Sequence, residues 1–308
     1  MKYDLVALGN PVYDIIHTPY VSTKGRVLSG CSTNACLAAR KLGLSKVGLI
    51  GSLGQDYNKR FLHDLEKYGI DPLLIIDAQE TGGFKLVYDA SGDRTLEVIG
   101  IASNITAENL PEECLNAQTI MLGPILGELD IALVEYLSTS CDAPLFLDPQ
   151  GFTRVIKDGN KIHRTCDRKD IKKLVSLVDW VKPNEQESVV MTGETDPVKA
   201  AKTLISWGAH FGIVTLAERG SIVTDGNKIF RIPAFKTQAN DPTGAGDTYA
   251  GSYIYSLLKR SRELAENAVF ASAAASQMVE ATGPDFPMTL TEVENRVKKI
   301  RRKIKKLK

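Results

Sequence analysis

The sequence predicts an α/β fold with a mainly parallel sheet covered by helices on both faces. Short apolar runs alternate with longer amphipathic runs along most of the chain. Such alternation means a strand, a crossover helix and another parallel strand, repeated. The 308 residues are 43% hydrophobic, enough to bury a large core. No linker rich in Pro, Gly and Ser divides the chain, and no internal repeat or low-complexity segment is present. One main domain is expected.

The elements follow in order. "YDLVALGN" from Tyr3 reads as a buried strand ending in a turn. "STNACLAARKLG" reads as a helix capped by Ser32 or Thr33 and stopped by Gly43. "KVGLIGSLG" is strand then turn. "DYNKRFLHDLEKYG" is a helix with Phe61, Leu62, Leu65 and Tyr68 on one face. The pattern continues through strand "QTIMLG", helix "ELDIALVEYLS", strand "PLFLDPQ", helix "DIKKLVSLV", strand "DWVKPN", helix "DPVKAAKTLISWG" and strand "FGIVTLA". "SIVTDGNKIFRI" signals a hairpin by its "DGN" turn. After Asp247 the chain is mostly helical, including the Ala-rich "ENAVFASAAASQMVE". Two stretches break the rhythm. Residues about 12–30 have strand propensity and no helix, and residues about 82–101 read as a hairpin turning at "DASGD". Both read as a small β excursion on one side of the α/β layers.

Composition removes several function classes. The formal net charge is +1, which argues against a broad nucleic-acid footprint. The basic tail "RVKKIRRKIKKLK" from Arg296 keeps a helical pattern at Val297, Ile300, Ile304 and Leu307, so it reads as a solvated terminal helix. The cysteines at 31, 36, 114, 141 and 166 lack C-x-x-C spacing, and the histidines at 17, 63, 163 and 210 lack metal-ligand spacing. Reduced thiols, no signal layout and no apolar run near the roughly 20 residues of a membrane span predict a cytoplasmic protein without a membrane partner.

The chemistry concentrates in "NDPTGAGDTYAGSYIYSLL", residues 240–258. Neither G-x-x-x-x-G-K-[ST] nor G-x-G-x-x-G occurs, so this is no P-loop or dinucleotide fingerprint. Gly244, Ala245 and Gly246 nevertheless precede an amphipathic run in which Tyr249, Tyr253 and Leu257 share a face. The first N–H groups of that helix lack internal partners, and small residues leave them open to an anion. Asp247 falls in the first turn, within reach of whatever lies over those amides. A phosphoryl group in transit beside a carboxylate that aligns the attacking hydroxyl fits this arrangement. A tight turn with Asp as an ordinary cap fits the same residues.

These residues carry a resemblance that extends along nearly the whole chain. "DPTGAGDTYAG" resembles the C-terminal signature of the PfkB carbohydrate kinases, the ribokinase-like family, in which G-A-G-D supplies the anion hole and the catalytic base. "LSGCSTNACLAARKLG" looks like the family's substrate motif, with Gly30 and Asn34 in place and Ser29 where a glycine is usual. "VKPNEQES" carries N-x-x-E at Asn184 and Glu187, which in the family orient magnesium and phosphates, often through water. "VTLAERGS" resembles the strand end that touches ATP, keeping Thr215 and Gly220 with Ala217 in place of the first glycine. Asp14 stands where the family has a carboxylate holding two sugar hydroxyls.

The resemblance implies a ribokinase-like three-layer α/β/α domain over residues 1–308 with a small β lid from about 12–30 and 82–101. It implies an ATP-dependent kinase acting with Mg²⁺ on a hydroxyl of a small sugar, polyol or nucleoside, as a monomer or homodimer. Asp241 and Thr243 fit a monovalent-cation loop for K⁺, as in some relatives, and equally a simple turn. "LDPQGFTR" looks like the corresponding stretch of archaeal inositol kinases, so Arg154 reads as reaching a phosphate or polar substrate, or as pairing with a neighbouring carboxylate. No cluster of extra basic residues lies in the acceptor motifs, which favours an uncharged acceptor. The alternatives are a kinase acting on inositol or a keto-deoxy sugar acid, and a non-catalytic sugar- or nucleotide-binding protein on the same fold.

Overall fold

A computed structural model describes residues 2–89 and 93–307. In chain order the strands are β1 (Leu5–Leu8), β2 (Val12–His17), β3 (Val27–Ser29), β4 (Val47–Gly54), β5 (Asp71–Ala78), β6 (Gly83–Tyr88), β7 (Arg94–Gly100), β8 (Ile120–Leu122), β9 (Leu145–Leu147), β10 (Arg154–Lys157), β11 (Lys161–Arg164), β12 (Trp180–Val181), β13 (Phe211–Thr215), β14 (Ser221–Thr224), β15 (Ile229–Ile232) and β16 (Lys305–Leu307). The helices are α1 (Cys31–Leu42), α2 (Asn58–Tyr68), α3 (Glu112–Leu115), α4 (Ile131–Ser140), α5 (Arg168–Val175), α6 (Glu185–Thr192), α7 (Pro197–Ser206), α8 (Ala245–Lys259), α9 (Leu264–Met278) and α10 (Leu290–Ile300).

Among the described residues, ten strands form the central sheet, in the order β16-β15-β14-β13-β12-β9-β8-β1-β4-β5. The run from β5 to β13 is parallel, and β14, β15 and β16 continue it antiparallel. The middle strands are apolar on both faces because helices cover both. In β1, Leu5 and Ala7 join one core with α1, α2, α8, α9 and α10, while Val6 and Leu8 join the other with α4, α5 and α7. This is a three-layer α/β/α arrangement. A second, six-stranded sheet has the order β10-β11-β7-β6-β2-β3. Buried and exposed positions alternate along β6 and β7, so one face is covered and the other meets solvent. Asp89 and Asp93 close the β6–β7 hairpin through a 2.9 Å backbone bond. The rest of the "DASGD" turn lies outside the described residues.

Four expectations need correction. The helix expected to cap at Ser32 or Thr33 starts at Cys31 with Gly30 as N-cap, because the Ser32 hydroxyl is drawn instead to the Leu8 carbonyl at 2.7 Å. On α2, Phe61 and Leu65 are buried, but Leu62 is 47% exposed. The basic tail is not helical throughout. Helix α10 stops at Ile300, and Lys305–Leu307 pairs with β15, placing Leu307 opposite Ile229. Strand pairing there satisfies backbone groups that the edge of β15 would otherwise leave open. Last, β10 and β11 form a hairpin that the periodicity did not expose. Its turn holds Asp158 and Gly159 at φ 50 and 80. The stretch "DGNKI" at residues 158–162 repeats the one at 225–229 that marks β14 and β15, so the signal was present.

Candidate active site

The start of α8 is built by close approach. Gly244 is the N-cap, at φ 85. A Cβ there would sit 2.8 Å from Asn34 Nδ2. The absent side chain lets Asn34, on α1, reach past the cap and donate to Asp247 Oδ2 at 3.0 Å. Gln150 donates to Asp247 Oδ1 from the other side at 3.4 Å. Arg154 in turn donates to Gln150 Oε1, and to the Ile125 carbonyl at 3.0 Å. Asp247 therefore lies half-buried in the first turn, oriented by two amides. The Ala245 N–H donates to the Pro242 carbonyl at 3.2 Å, while the N–H groups of Gly246 and Asp247 have no backbone partner among the described residues and stay open.

Negative charge beside Asp247 is partly neutralised. Asp247, Asp148 and Cys31 place their ligand atoms within 4.8 Å of one another. Asp148 is paired with Lys182 at 2.7 Å, and both side chains are buried. Burial works against the Lys182 charge, but Asp148 beside it holds the ammonium's pKa well above its ordinary value. Lys182 Nζ lies 3.5 Å from where a Gly246 Cβ would be, so a fixed positive charge sits beside the Gly-Ala-Gly turn.

Asp14, on β2, is 3% exposed. Its Oδ1 accepts from the Phe84 N–H at 2.8 Å. Burial pushes its carboxyl up to about 6, against the opposing pull of that N–H, the Ser29 hydroxyl and the charges of Arg94 and Arg154. Ser29, where the motif has a glycine, thus supplies a bond to Asp14.

The N-x-x-E pair forms a reciprocal cap on α6. Asn184 Oδ1 accepts from the Glu187 N–H and Glu187 Oε2 from the Asn184 N–H, both at 2.9 Å. Burial, then the charge of Asp148, raise the Glu187 carboxyl, while Lys182 opposes them. Asn184 bridges to Thr215 at the end of β13, so both lie at the carboxyl edge of the sheet. Gly220 packs instead on the Ile232 carbonyl, beyond the Ala217–Arg219 turn. Ala217 holds φ 50 in that turn, a conformation that costs a non-glycine residue about 1 kcal/mol or more. Ala217→Gly is expected to raise stability by about 1 kcal/mol in chemical denaturation; an unchanged midpoint would show the strain to be absent.

Asp241 is fully buried. Its Oδ1 accepts from the Thr243 N–H at 2.8 Å, and its Oδ2 has no hydrogen-bond partner among the described residues. Burial raises this carboxyl. The Thr243 hydroxyl meets the Tyr88 hydroxyl at 3.0 Å.

The structure therefore joins Asn34 to Asp247 directly and Arg154 to Asp247 through Gln150, and the charge of Arg154 also acts on Asp14. Sequence reasoning missed Gln150, Asp148, Lys182, Tyr88, Arg94 and Arg164. The expectation that no basic cluster lines the acceptor motifs is corrected: Arg94, Arg154 and Arg164 come from three separate strands and act on one another electrostatically. They are 60 and 10 residues apart in sequence (154−94 and 164−154), so no local run of charge announced them.

Residues 4–291 match the pfkB family carbohydrate kinase. Similar proteins include the cytidine kinase of Thermococcus kodakarensis, 31% identical over 82% of this chain and 87% of that protein. The ribokinase of Haemophilus influenzae is 27% identical over 92% of this chain and 94% of that protein. Among solved structures, a pyrophosphate-dependent kinase in the ribokinase family superposes with a TM-score of 0.80 at 21% identity, covering 94% of this chain and 99% of its own. The ribokinase of Thermotoga maritima gives a TM-score of 0.76 at 21% identity, covering 96% and 99%. The chain is a member of the pfkB carbohydrate kinase family, an ATP-dependent phosphotransferase with an alcohol group as acceptor, on the ribokinase fold.

Proposed function

We propose that the protein transfers the γ-phosphoryl group of ATP to a hydroxyl of a small sugar, polyol or nucleoside, in the cytoplasm, as a monomer or homodimer. The observation that carries the site assignment is Asp247, oriented by Asn34 and Gln150 beside the open amides of α8. Asp247 takes the proton of the attacking hydroxyl. The amides of Gly244, Gly246 and Asp247 meet charge developing on the phosphoryl group, and Ala245, whose N–H is held by the Pro242 carbonyl, shapes the turn. Asp14 accepts from two acceptor hydroxyls, with Gly30, Asn34 and Arg154 around it. The second sheet, through residues 12–30, 82–101 and the 154–164 hairpin, forms the lid that excludes water. The 31% identity with a cytidine kinase supports a nucleoside as the first acceptor to test.

Thr215, Asn184 and Glu187 would hold the donor, with Gly220 ending the turn that follows Thr215. The capping bond uses only one oxygen of Glu187, so the residue fits a magnesium ion reached directly or through water. Magnesium would neutralise charge on the donor phosphates. The unpartnered Oδ2 of Asp241, with Thr243, fits a monovalent cation such as K⁺. Five free cysteines suit a reducing compartment. Among the described residues no helix is long and apolar enough to cross a membrane.

A coupled assay of ADP release with cytidine and other nucleosides, ribose, deoxyribose, a keto-deoxy sugar acid and myo-inositol tests the reading. Binding of ATP and an acceptor with no ADP release would leave the non-catalytic alternative. Asp14 adds a pH signature. Its charged form is the stronger acceptor for two hydroxyls, so kcat/KM for the acceptor should fall as pH drops below about 6. The stability effect has the opposite sign. A raised acid contributes stability that is fully present below about 3.8 and lost as pH rises through about 6. Asp14→Asn should remove both dependences; an acid limb that survives in Asp14→Asn belongs to another group.

A further inference from the structure

Three arginines lie in line across adjacent strands of the second sheet. Arg154 on β10 is directly opposite Arg164 on β11. On the other side, Lys161 of β11 pairs with Glu97 of β7. Continued three residues along this antiparallel pair, the same register would set Arg164 level with Arg94, and the charge of Arg94 does act on Arg164. Arg94 pairs in turn with Tyr88 on β6. Like charges side by side on neighbouring strands repel; burial first, then the charges of Arg94 and Arg164, depress the pKa of Arg154.

Among the described residues, none of the three arginines forms an ion pair with a carboxylate. Their bonds go to neutral atoms: Arg154 to Gln150 and the Ile125 carbonyl, and Arg94 to the Tyr88 hydroxyl at 2.7 Å. The Nε atoms of Arg154 and Arg164 are buried with no partner, and Arg154 as a whole is 8% exposed. Arg94 and Arg164 are half-buried. A guanidinium without a counter-charge costs more the more it is buried, so Arg154 bears most of that cost until a ligand brings negative charge. The carboxylates whose charge acts on the row are Asp247 and Glu187, with Asp93 of the β6–β7 turn acting on Arg164, and the row in turn acts on Asp14 and Asp241. Tyr88 also meets Thr243, which ties the Arg94 end of the row to the residue before Gly244. A forked guanidinium matches the oxygens of a phosphate group.

We propose that Arg94, Arg154 and Arg164 form a phosphate-oxyanion site on the second sheet, facing the amides at the start of α8. The proposal rests on the kinase reading for its setting and names a ligand class for the lid side of that cleft. The oxyanion has two sources, the phosphoryl group leaving the donor and a phosphate carried by the acceptor. Held between the row and α8, it balances the buried charge and draws the second sheet down onto the cleft.

Arg94→Gln and Arg164→Gln test this in the full chain. Inorganic phosphate, titrated at ionic strength fixed with chloride, should bind the parent protein and bind each variant about tenfold or more weakly. Without phosphate the variants should be at least as stable as the parent, since repulsion is relieved. Turnover then separates the sources. A kcat loss of about tenfold or more with an unphosphorylated acceptor assigns the site to the transferred group. A KM increase confined to sugar phosphates such as fructose 6-phosphate assigns it to the acceptor. Equal phosphate affinity in parent and variants, loss of the folded state in both variants, or unchanged turnover with both acceptor types overturns the proposal. If no acceptor gives ADP release, the kinase reading fails, while the phosphate titration still decides the arginine site.

Discussion

Asp247→Asn is expected to lower kcat by at least about a hundredfold while leaving the unfolding midpoint near that of the parent. The substitution keeps size and shape, so Asn34 and Gln150 still pack around it. Asn34 currently donates to Oδ2 at 3.0 Å and Gln150 to Oδ1 at 3.4 Å. Replacing one oxygen by NH₂ turns one of these bonds into a donor facing a donor, a modest local cost. The functional cost is larger because the amide oxygen can accept a bond from the hydroxyl but cannot take its proton. The KM of the donor should change little if, as proposed, the donor is held by Asn184, Glu187 and Thr215. Steady-state kinetics beside thermal unfolding separates the effects. Near-normal turnover in a folded Asp247→Asn protein would remove Asp247 from the role of base.

Gly251→Ala is expected to destabilise the protein by about 2–3 kcal/mol or more and to lower activity with it. Gly251 lies in α8 where it crosses α1. An added Cβ would sit 2.1 Å from the Ala35 carbonyl oxygen and 2.8 Å from its carbonyl carbon. These are backbone atoms of a buried helix, so no flexible side chain can yield. The helices must separate, and the separation falls on the contact that matters, because Asn34 is on α1 and Asp247 on α8. Urea denaturation gives the stability loss from the shift in midpoint at constant slope. A midpoint shift worth less than about 0.5 kcal/mol would show that the crossing tolerates a methyl group. The two substitutions leave different traces: one removes chemistry from an intact fold, the other loosens the frame that aims it.

Much of this was legible in the sequence because it is local. The alternation that gave β1, α1, β4 and α2 reflects periodicities set by a strand and a helix, each readable within a short window. The Gly-Ala-Gly-Asp turn was legible for the same reason: small residues, a helix start and a carboxylate within four positions, 244–247. What stayed hidden depends on register between distant segments. Gln150 follows a strand by a few residues and looks like loop, yet it holds Asp247 from 97 positions away. Arg154, Arg164 and Arg94 form a row only once β10, β11 and β7 have paired, and a shift of one residue would put alternate side chains on the opposite face. The tail misled because its helical period was real up to Ile300 and then gave way to an open sheet edge.

The bond between Asn34 and Asp247 spans 213 positions along the chain. That separation has a consequence in time. Helices α1 and α8 can each form early, from neighbouring residues, on the scale of microseconds. The pair that they present must wait until the chain between them, including most of the central sheet, has collapsed into place, since long loops close late and parallel strands pair slowly. On refolding from urea, the far-ultraviolet dichroism of the helices is expected to recover before enzymatic activity, which should return with the slowest phase. Activity recovering in step with the first helical signal would mean that the two halves of the site meet before the sheet is complete.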